Sequence, residues 1–262
     1  MREALNAVPT TWLLVAAVSV SLGLVLLSVL VIRRIVPATR EGYHAEVSAP
    51  MLGVVAALFG LLLAFVIVIA YQNFLGAQAN VSREADSLAS IVRDGAAFPE
   101  PGRANVRGAV GIYVRAVVND EWPQMRMGHD SPLAWSALDG IFAAFLTVRP
   151  TTPEQTAFYD DAVTQLNATL TARRDRIESV SGGIPSVITA LILFSAFVII
   201  GYAVLVGSPN FWFHALGAAA IAVIVAVSLV VLGDLSYPFS GNVAITPGAL
   251  RTESLGQFFE NH

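Results

Sequence analysis

The sequence predicts an all-α membrane protein with four transmembrane helices and an all-helical soluble domain between the second and the third. Three observations predict it. Four apolar runs, Trp12–Ile32, Met51–Tyr71, Ile184–Val206 and Phe211–Leu232, contain no Asp, Glu, Lys or Arg. Each reaches the ~20 residues that cross a ~30 Å hydrocarbon layer. Hydrophobic residues make up 55% of the chain and charged residues only 13%, against about 25% charged in an average soluble domain. Between the second and third runs, apolar residues recur at helical spacing, and no stretch alternates for long enough to form a strand.

The chain therefore divides into a first transmembrane pair (1–71), a helical soluble domain continuous with the second and third spans (72–183), a transmembrane hairpin (184–232) and a polar C-terminal tail (233–262). The first run follows Arg2 as the apolar core of a secretory signal would, but it is too long and ends in Arg33-Arg34 without a cleavage site, so it reads as a retained anchor. Arg33–Pro50, broken by Pro37 and Gly42, is a short polar connection. The second run has no stop after Tyr71, because 72–94 holds no Pro and only Gly76. With Val81, Ala85, Leu88 and Val92 on one face, it predicts a single helix of roughly 40 residues, ended by Gly95 and Pro99.

Arg103–Asn119 presents Val106, Val110, Tyr113, Val114 and Val117 on one face. Ser131-Pro132 pairs an N-cap with Pro at the first helical position, opening a helix with Leu138, Ile141, Phe142 and Phe145 inward. Thr152-Pro153-Glu154-Gln155 repeats that start with Gln placed for a capping box. Its helix carries Phe158, Ala162, Leu166 and Leu170, ends near Gly182-Gly183 and leads to the third span at Pro185. Gly207-Ser208-Pro209-Asn210 turns the last two spans into a hairpin. Beyond Asp234, the polar tail from Thr246 is expected to run along the surface.

Composition excludes several functions. Cysteine is absent, which rules out disulfides, thiolate catalysis and Cys-based metal sites. His44, His129, His214 and His262 lack the spacing of a helical metal pair, so neither a metal site nor a cofactor is expected. No nucleophile elbow or phosphate-binding glycine loop is present, and the chain does not read as an enzyme. All fifteen basic residues are Arg and the net charge is -4, without the basic run that a nucleic-acid partner requires.

One stripe of the second helix descends through Leu58, Leu62, Phe65 and Ile69 and then becomes polar at Asn73, Asn80 and Arg83. This suits a hydrophobic neck opening into a vestibule. On pattern alone it better suits a helix that packs against lipid and neighbours before leaving the membrane. The small residues Gly53, Ala56, Gly60 and Ala64 favour close helix association. Glu84 just past the second span and Arg173, Arg174 and Arg176 just before the third are expected to form structural ion pairs, which Asp234 can join. Arginines near the span ends favour a cytoplasmic domain and cytoplasmic termini, although Arg33 and Arg34 lie at the opposite surface.

Four segments fall in an order that resembles the bacterial bestrophin-like membrane protein family. They are the Phe65–Arg93 stretch, Asp120-Glu121-Trp122-Pro123-Gln124-Met125 with Gly128, Arg173-Arg174-Asp175-Arg176-Ile177, and Asp234-Leu235-Ser236-Tyr237-Pro238-Phe239-Ser240-Gly241. Tyr71 and Tyr237 stand where that pattern has Trp and Arg. The resemblance implies a bestrophin-like ring of subunits, five by analogy, in the inner membrane. It implies a pore lined by the second span, permeation by inorganic anions such as chloride, and a neck at Leu58, Leu62, Phe65 and Ile69. The alternative is a non-conducting membrane sensor or scaffold whose helical domain binds a partner.

Overall fold

The structure is a computed structural model that describes residues 6–36, 39, 45–182 and 184–259. Arg2, Pro37, Arg40, Gly42, His44, Gly183 and His262 lie outside the described residues. All regular elements among the described residues are helical. Among the described residues four helices are long and apolar enough to cross a membrane: α1 (Thr10–Ile35), α2 (Ala45–Asp94), α7 (Ser186–Leu205) and α8 (Phe211–Ser236). Between α2 and α7 lie α3 (Gly102–Ala116), a π turn (Val117–Glu121), α4 (Trp122–Met127), α5 (Pro132–Phe145) and α6 (Pro153–Val180). The last regular elements among the described residues are a 3-10 turn (Gly248–Arg251) and α9 (Glu253–Gly256).

Two compact units share α2. The first comprises 3–72 and 183–236, and the second comprises 73–182 and 237–262. In the span unit, Phe59, Leu63, Val66 and Ala70 of α2 pack with Ile192, Ala196 and Ile199 of α7 and with Val225 and Leu232 of α8. A second cluster joins Val25 and Val29 of α1 to Ala203 and Val204 of α7 and to Ala218 and Ala222 of α8. Lipid tails are as apolar as Leu, so burial alone does not hold such helices together, and small residues such as these alanines allow the close approach that does. The outward faces stay apolar, with Trp12 65%, Leu24 60% and Phe197 77% exposed. Such a surface on a water-soluble protein would be an aggregation hazard, and in a bilayer it is the required solvent contact.

Arg33 ties the end of α1 to the hairpin turn. Its Nη1 donates to the Ser208 carbonyl at 2.7 Å and its Nη2 to the Pro209 carbonyl at 3.1 Å. Gly207 lies against the Thr39 backbone so closely that a Cβ would strike the Thr39 carbonyl oxygen. Gly207→Ala is therefore expected to destabilise the span unit by about 1–3 kcal/mol through overpacking against a backbone that cannot swing aside, read as a lower unfolding temperature of the detergent-solubilised chain.

The helix α2 starts at Ala45 and encloses Pro50, so the first connection is shorter than the sequence suggests. Pro50 is the sixth residue of this helix, so α2 forgoes the one backbone bond that an N–H there would donate. At the far end the helix stops at Asp94, followed by a 3-10 turn at Gly95–Ala97.

In the helical unit, Leu88 and Ile91 of α2 enter one core with Val106, Val110 and Val114 of α3, Leu138 and Ile141 of α5, and Leu166 of α6. The start signals operate as caps, since Ser131 Oγ accepts from the Ala134 N–H at 3.1 Å and Thr152 Oγ1 from the Gln155 N–H at 3.2 Å. Gln155 reaches back to the Thr151 N–H at 2.9 Å, one residue before the cap. Phe158, expected inward, is 45% exposed. Tyr159 takes its place beside Phe98 and Phe145, with ring centroids 6.0 and 5.9 Å away.

Two further differences concern segments read as irregular. The helix expected to end at Asn119 continues through the π turn to Met127. A proline ring clashes with the carbonyl four residues back in a regular helix, and the widened turn ahead of Pro123 relieves that conflict. The C-terminal segment, expected along the surface, inserts Phe239, Ile245, Leu250 and Leu255 into the core, each 9% exposed or less. Phe239 meets Trp122 edge to face at 5.8 Å, Trp122 Nε1 donates to the Ile245 carbonyl at 3.2 Å, and Ser240 Oγ donates to the Arg126 carbonyl at 2.9 Å. Gly241 follows with φ 81°, a conformation that favours glycine. The Pro-Phe-Ser-Gly run is thus a clamp on α4, and Ser240→Ala should cost about 1 kcal/mol, measurable as a lowered unfolding midpoint.

Candidate functional site

Two places in the chain collect residues of functional interest, one in each unit. In the helical unit, the inward face of α2 carries Glu84 among Ala77, Val81, Leu88 and Ile91, so helical spacing alone buries this carboxylate. Tyr113 comes from α3 and Glu121 from the π turn. Arg173 and Arg176 come from one face of α6, and all five side chains lie in the interior with 0% exposure.

Arg176 bridges both acids. Its Nε donates to Glu84 Oε2 at 2.6 Å and its Nη2 to Glu84 Oε1 at 3.0 Å and Glu121 Oε2 at 2.8 Å. Arg173 Nη2 donates to Glu121 Oε1 at 2.5 Å, and its Nη1 donates to the Ala134 carbonyl at 2.9 Å. The Tyr113 hydroxyl donates to Glu84 Oε1 at 2.5 Å. Each guanidinium also lies over an indole, Arg173 over Trp135 at 4.0 Å and Arg176 over Trp122 at 5.3 Å. Two cations and two anions leave no net charge, and the planar fork of Arg makes the paired contacts that a Lys could not.

Burial opposes the charge on Arg176, but the Glu84 carboxylate, its hydrogen bonds and Glu121 outweigh that penalty and raise the Arg176 pKa. Burial first, and then the Glu84 charge, holds the Tyr113 phenol well above its ordinary range. It therefore remains a donor at neutral pH. Asp120 accepts from Gln124 Nε2 at 2.9 Å and from the Ser131 hydroxyl, while the Ser131 N–H donates to Glu121 at 3.3 Å. The π turn is thereby fixed at both of its acids, in keeping with the frequent placement of such turns at functional sites.

Of the residues expected to pair, Glu84, Arg173 and Arg176 meet. Arg174 is exposed. Asp234, 7% exposed, belongs to the span unit, beside Thr10. Tyr113 and Glu121 complete the network and were not among the residues expected to pair. The signal for Glu121 is its register: it falls four residues after Val117 and eight after Tyr113, on the buried face of its helix.

In the span unit, α2 has two unlike faces. Leu58, Phe65 and Ile69 are 64%, 61% and 49% exposed, whereas Phe59, Leu63, Val66 and Ala70 are 8% or less. Leu62 is partly packed against the buried cluster. Further along the same helix Asn73 and Arg83 are exposed and Asn80 is buried. Among the described residues no group of three or more His, Asp or Glu side chains could hold a metal ion.

Two solved structures share this fold. One is a crystal structure of a membrane protein, with a TM-score of 0.70 at 10% identity over 92% of this chain and 95% of its own. The other is a point-mutated bacterial bestrophin homolog from Klebsiella pneumoniae, with a TM-score of 0.68 at 10% identity over 94% of this chain and 97% of its own. No curated protein matches the sequence. The family model of the bestrophin-like domain matches residues 19–250. That stretch runs from within α1, through the α2 face and the Glu84–Arg176 network, to the C-terminal clamp, and the chain belongs to the bestrophin-like family.

Proposed function

We propose that the chain is a subunit of an oligomeric ion channel, with the second span of each subunit facing a central pore. The observation that carries this reading is the division of α2. One row, Phe59, Leu63, Val66 and Ala70, holds the helix to α7 and α8, and a second row of Leu58, Phe65 and Ile69, about a third of a turn around the helix, stands exposed. In a ring of such subunits that second row forms a hydrophobic neck, with Leu62 at its edge, where water and ions pass only against a dewetting barrier. Asn73 and Arg83 line the polar widening beyond it, and Asn80 supports that wall from its buried side. Inorganic anions, chloride among them, are the permeant class, and five subunits form the ring, both on family analogy. The helical unit and the termini face the cytoplasm of the inner membrane.

The test is anion efflux from chloride-loaded liposomes containing the purified chain, run beside its particle size in detergent. A multi-subunit ring with efflux above that of empty liposomes is expected. A monomer or dimer, or folded protein without flux, overturns the reading. A groove of about 630 Å³ between α3 and α5, lined by Ala104, Gly108, Ile112, Leu133 and Gly140, supports the alternative of a membrane scaffold. Under that reading, the full chain binds a partner through this groove and conducts nothing.

A further inference from the structure

Asp94, the last residue of α2, is 5% exposed. Its Oδ2 is closed to solvent and receives no hydrogen bond from the described residues. A charged oxygen in that position is costly, because burial removes its water without supplying a donor in exchange. The free carbonyls at the end of α2 add a partial negative charge to the same corner.

The side chain that reaches Asp94 from α6 is a second acid. Phe98, four residues further on, meets Tyr159 with ring centroids 6.0 Å apart. That contact brings the end of α2 against the turn of α6 that carries Asp161, and the Asp161 carboxyl lies in hydrogen-bonding contact with Asp94. Other neighbours do little to balance the two charges. Arg93 Nε stands 3.9 Å from Asp94 Oδ1, but its side chain is 75% exposed and its Nη2 donates to Ser90 Oγ at 3.0 Å, and an exposed pair of this kind is weak. Tyr159 turns its hydroxyl to the Phe145 carbonyl at 3.5 Å, and α3 meets the corner through Val106, beside Gly95. Burial first, and then the Asp161 charge and hydrogen bond, raise the Asp94 pKa, and Arg93 offsets only part of that rise. Two carboxyl groups hydrogen-bond to each other only when one of them is protonated.

We propose that Asp94 and Asp161 hold one proton between them and form a pH-dependent latch from the end of α2 to α6. Asp161 is exposed, which gives the proton a route to water. Both residues lie in the helical unit, so the latch stands whether or not the chain conducts. The folded chain holds the proton more tightly than the unfolded chain, in which Asp94 has its ordinary pKa of 3.8. The contribution to stability is therefore complete below that value. It is lost as pH rises through the raised folded value, above which two carboxylates repel.

The experiment is thermal unfolding of the full detergent-solubilised chain over a pH series, with infrared difference spectra of the same samples, for the parent, Asp94→Asn and Asp161→Ala. The amide of Asp94→Asn donates to Asp161 at every pH. This variant should unfold at a higher temperature than the parent at alkaline pH, and the gap should close as the pH falls. The parent should show a protonated carboxyl band that disappears on alkalinisation, is missing in Asp94→Asn and titrates at lower pH in Asp161→Ala. Unfolding temperatures of parent and Asp94→Asn that run parallel at every pH overturn the proposal, as does a carboxyl band unchanged in Asp94→Asn. Stabilisation of the parent by calcium chloride at alkaline pH, absent from Asp94→Asn, would place a cation between the carboxylates and overturn the shared proton.

Discussion

Glu84→Ala is expected to destabilise the helical unit by about 3–5 kcal/mol, the cost of removing one partner from a buried ion pair. The substitution leaves Arg173 and Arg176 buried with only Glu121 between them, an uncompensated positive charge at 0% exposure. It also takes the acceptor from the Tyr113 hydroxyl. Removing both members of the pair is a different experiment. In the double variant Glu84→Leu with Arg176→Leu, Glu121 and Arg173 remain matched one to one, and the apolar replacements approximate the lost volume. Most of the stability should return, because a buried ion pair contributes little more than its own desolvation cost. Thermal unfolding of Glu84→Leu, Arg176→Leu and their double variant in detergent, followed by the loss of helical circular dichroism, gives the coupling directly. A single variant as stable as the parent would remove the network from any structural role.

The network also marks how much of this molecule is legible in its sequence. The spans are legible because length and apolarity suffice to identify them. The caps at Ser131 and Thr152 are legible because a short polar side chain followed by Pro has few other uses. The buried charges were legible in part. Glu84 shares a face with Val81 and Leu88, and Arg173 and Arg176 continue the row of Ala162, Leu166 and Thr169. A charge in a buried register is a statement that its counter-charge is also buried, and Glu121 obeys the same rule on its own helix. The π turn hid it, since Asp120-Glu121-Trp122-Pro123 reads as a break when Pro123 is assumed to end a regular helix. The C-terminal segment escaped for a different reason. Its buried residues Phe239, Ile245, Leu250 and Leu255 follow no helical or strand period, because a clamp is shaped by what it grips and carries no repeat of its own.

Phe65→Ala combined with Ile69→Ala should raise anion efflux from liposomes about tenfold, equivalent to lowering the barrier by ~1.4 kcal/mol. Both side chains are exposed, 61% and 49%, on a face of α2 set beside its packed row. Neither makes the contacts that hold the span unit together, so truncating them should leave folding and oligomer size unchanged. That separates this pair from Phe59 and Leu63, whose burial at 8% and 5% makes their truncation a packing defect. If the exposed row faces a pore, the two alanines widen a constriction whose barrier is the cost of wetting an apolar ring, and flux rises. If the row faces lipid, the same alanines exchange one apolar surface for a smaller one and flux stays where it was. The Phe59→Ala control distinguishes an opened neck from a loosened bundle, since a general loosening should raise leak there as well and lower the unfolding temperature. An increase confined to the exposed row, at unchanged stability, would be the signature of a pore on the second span. An unchanged flux in a folded ring would move the conduction path away from Leu58, Leu62, Phe65 and Ile69.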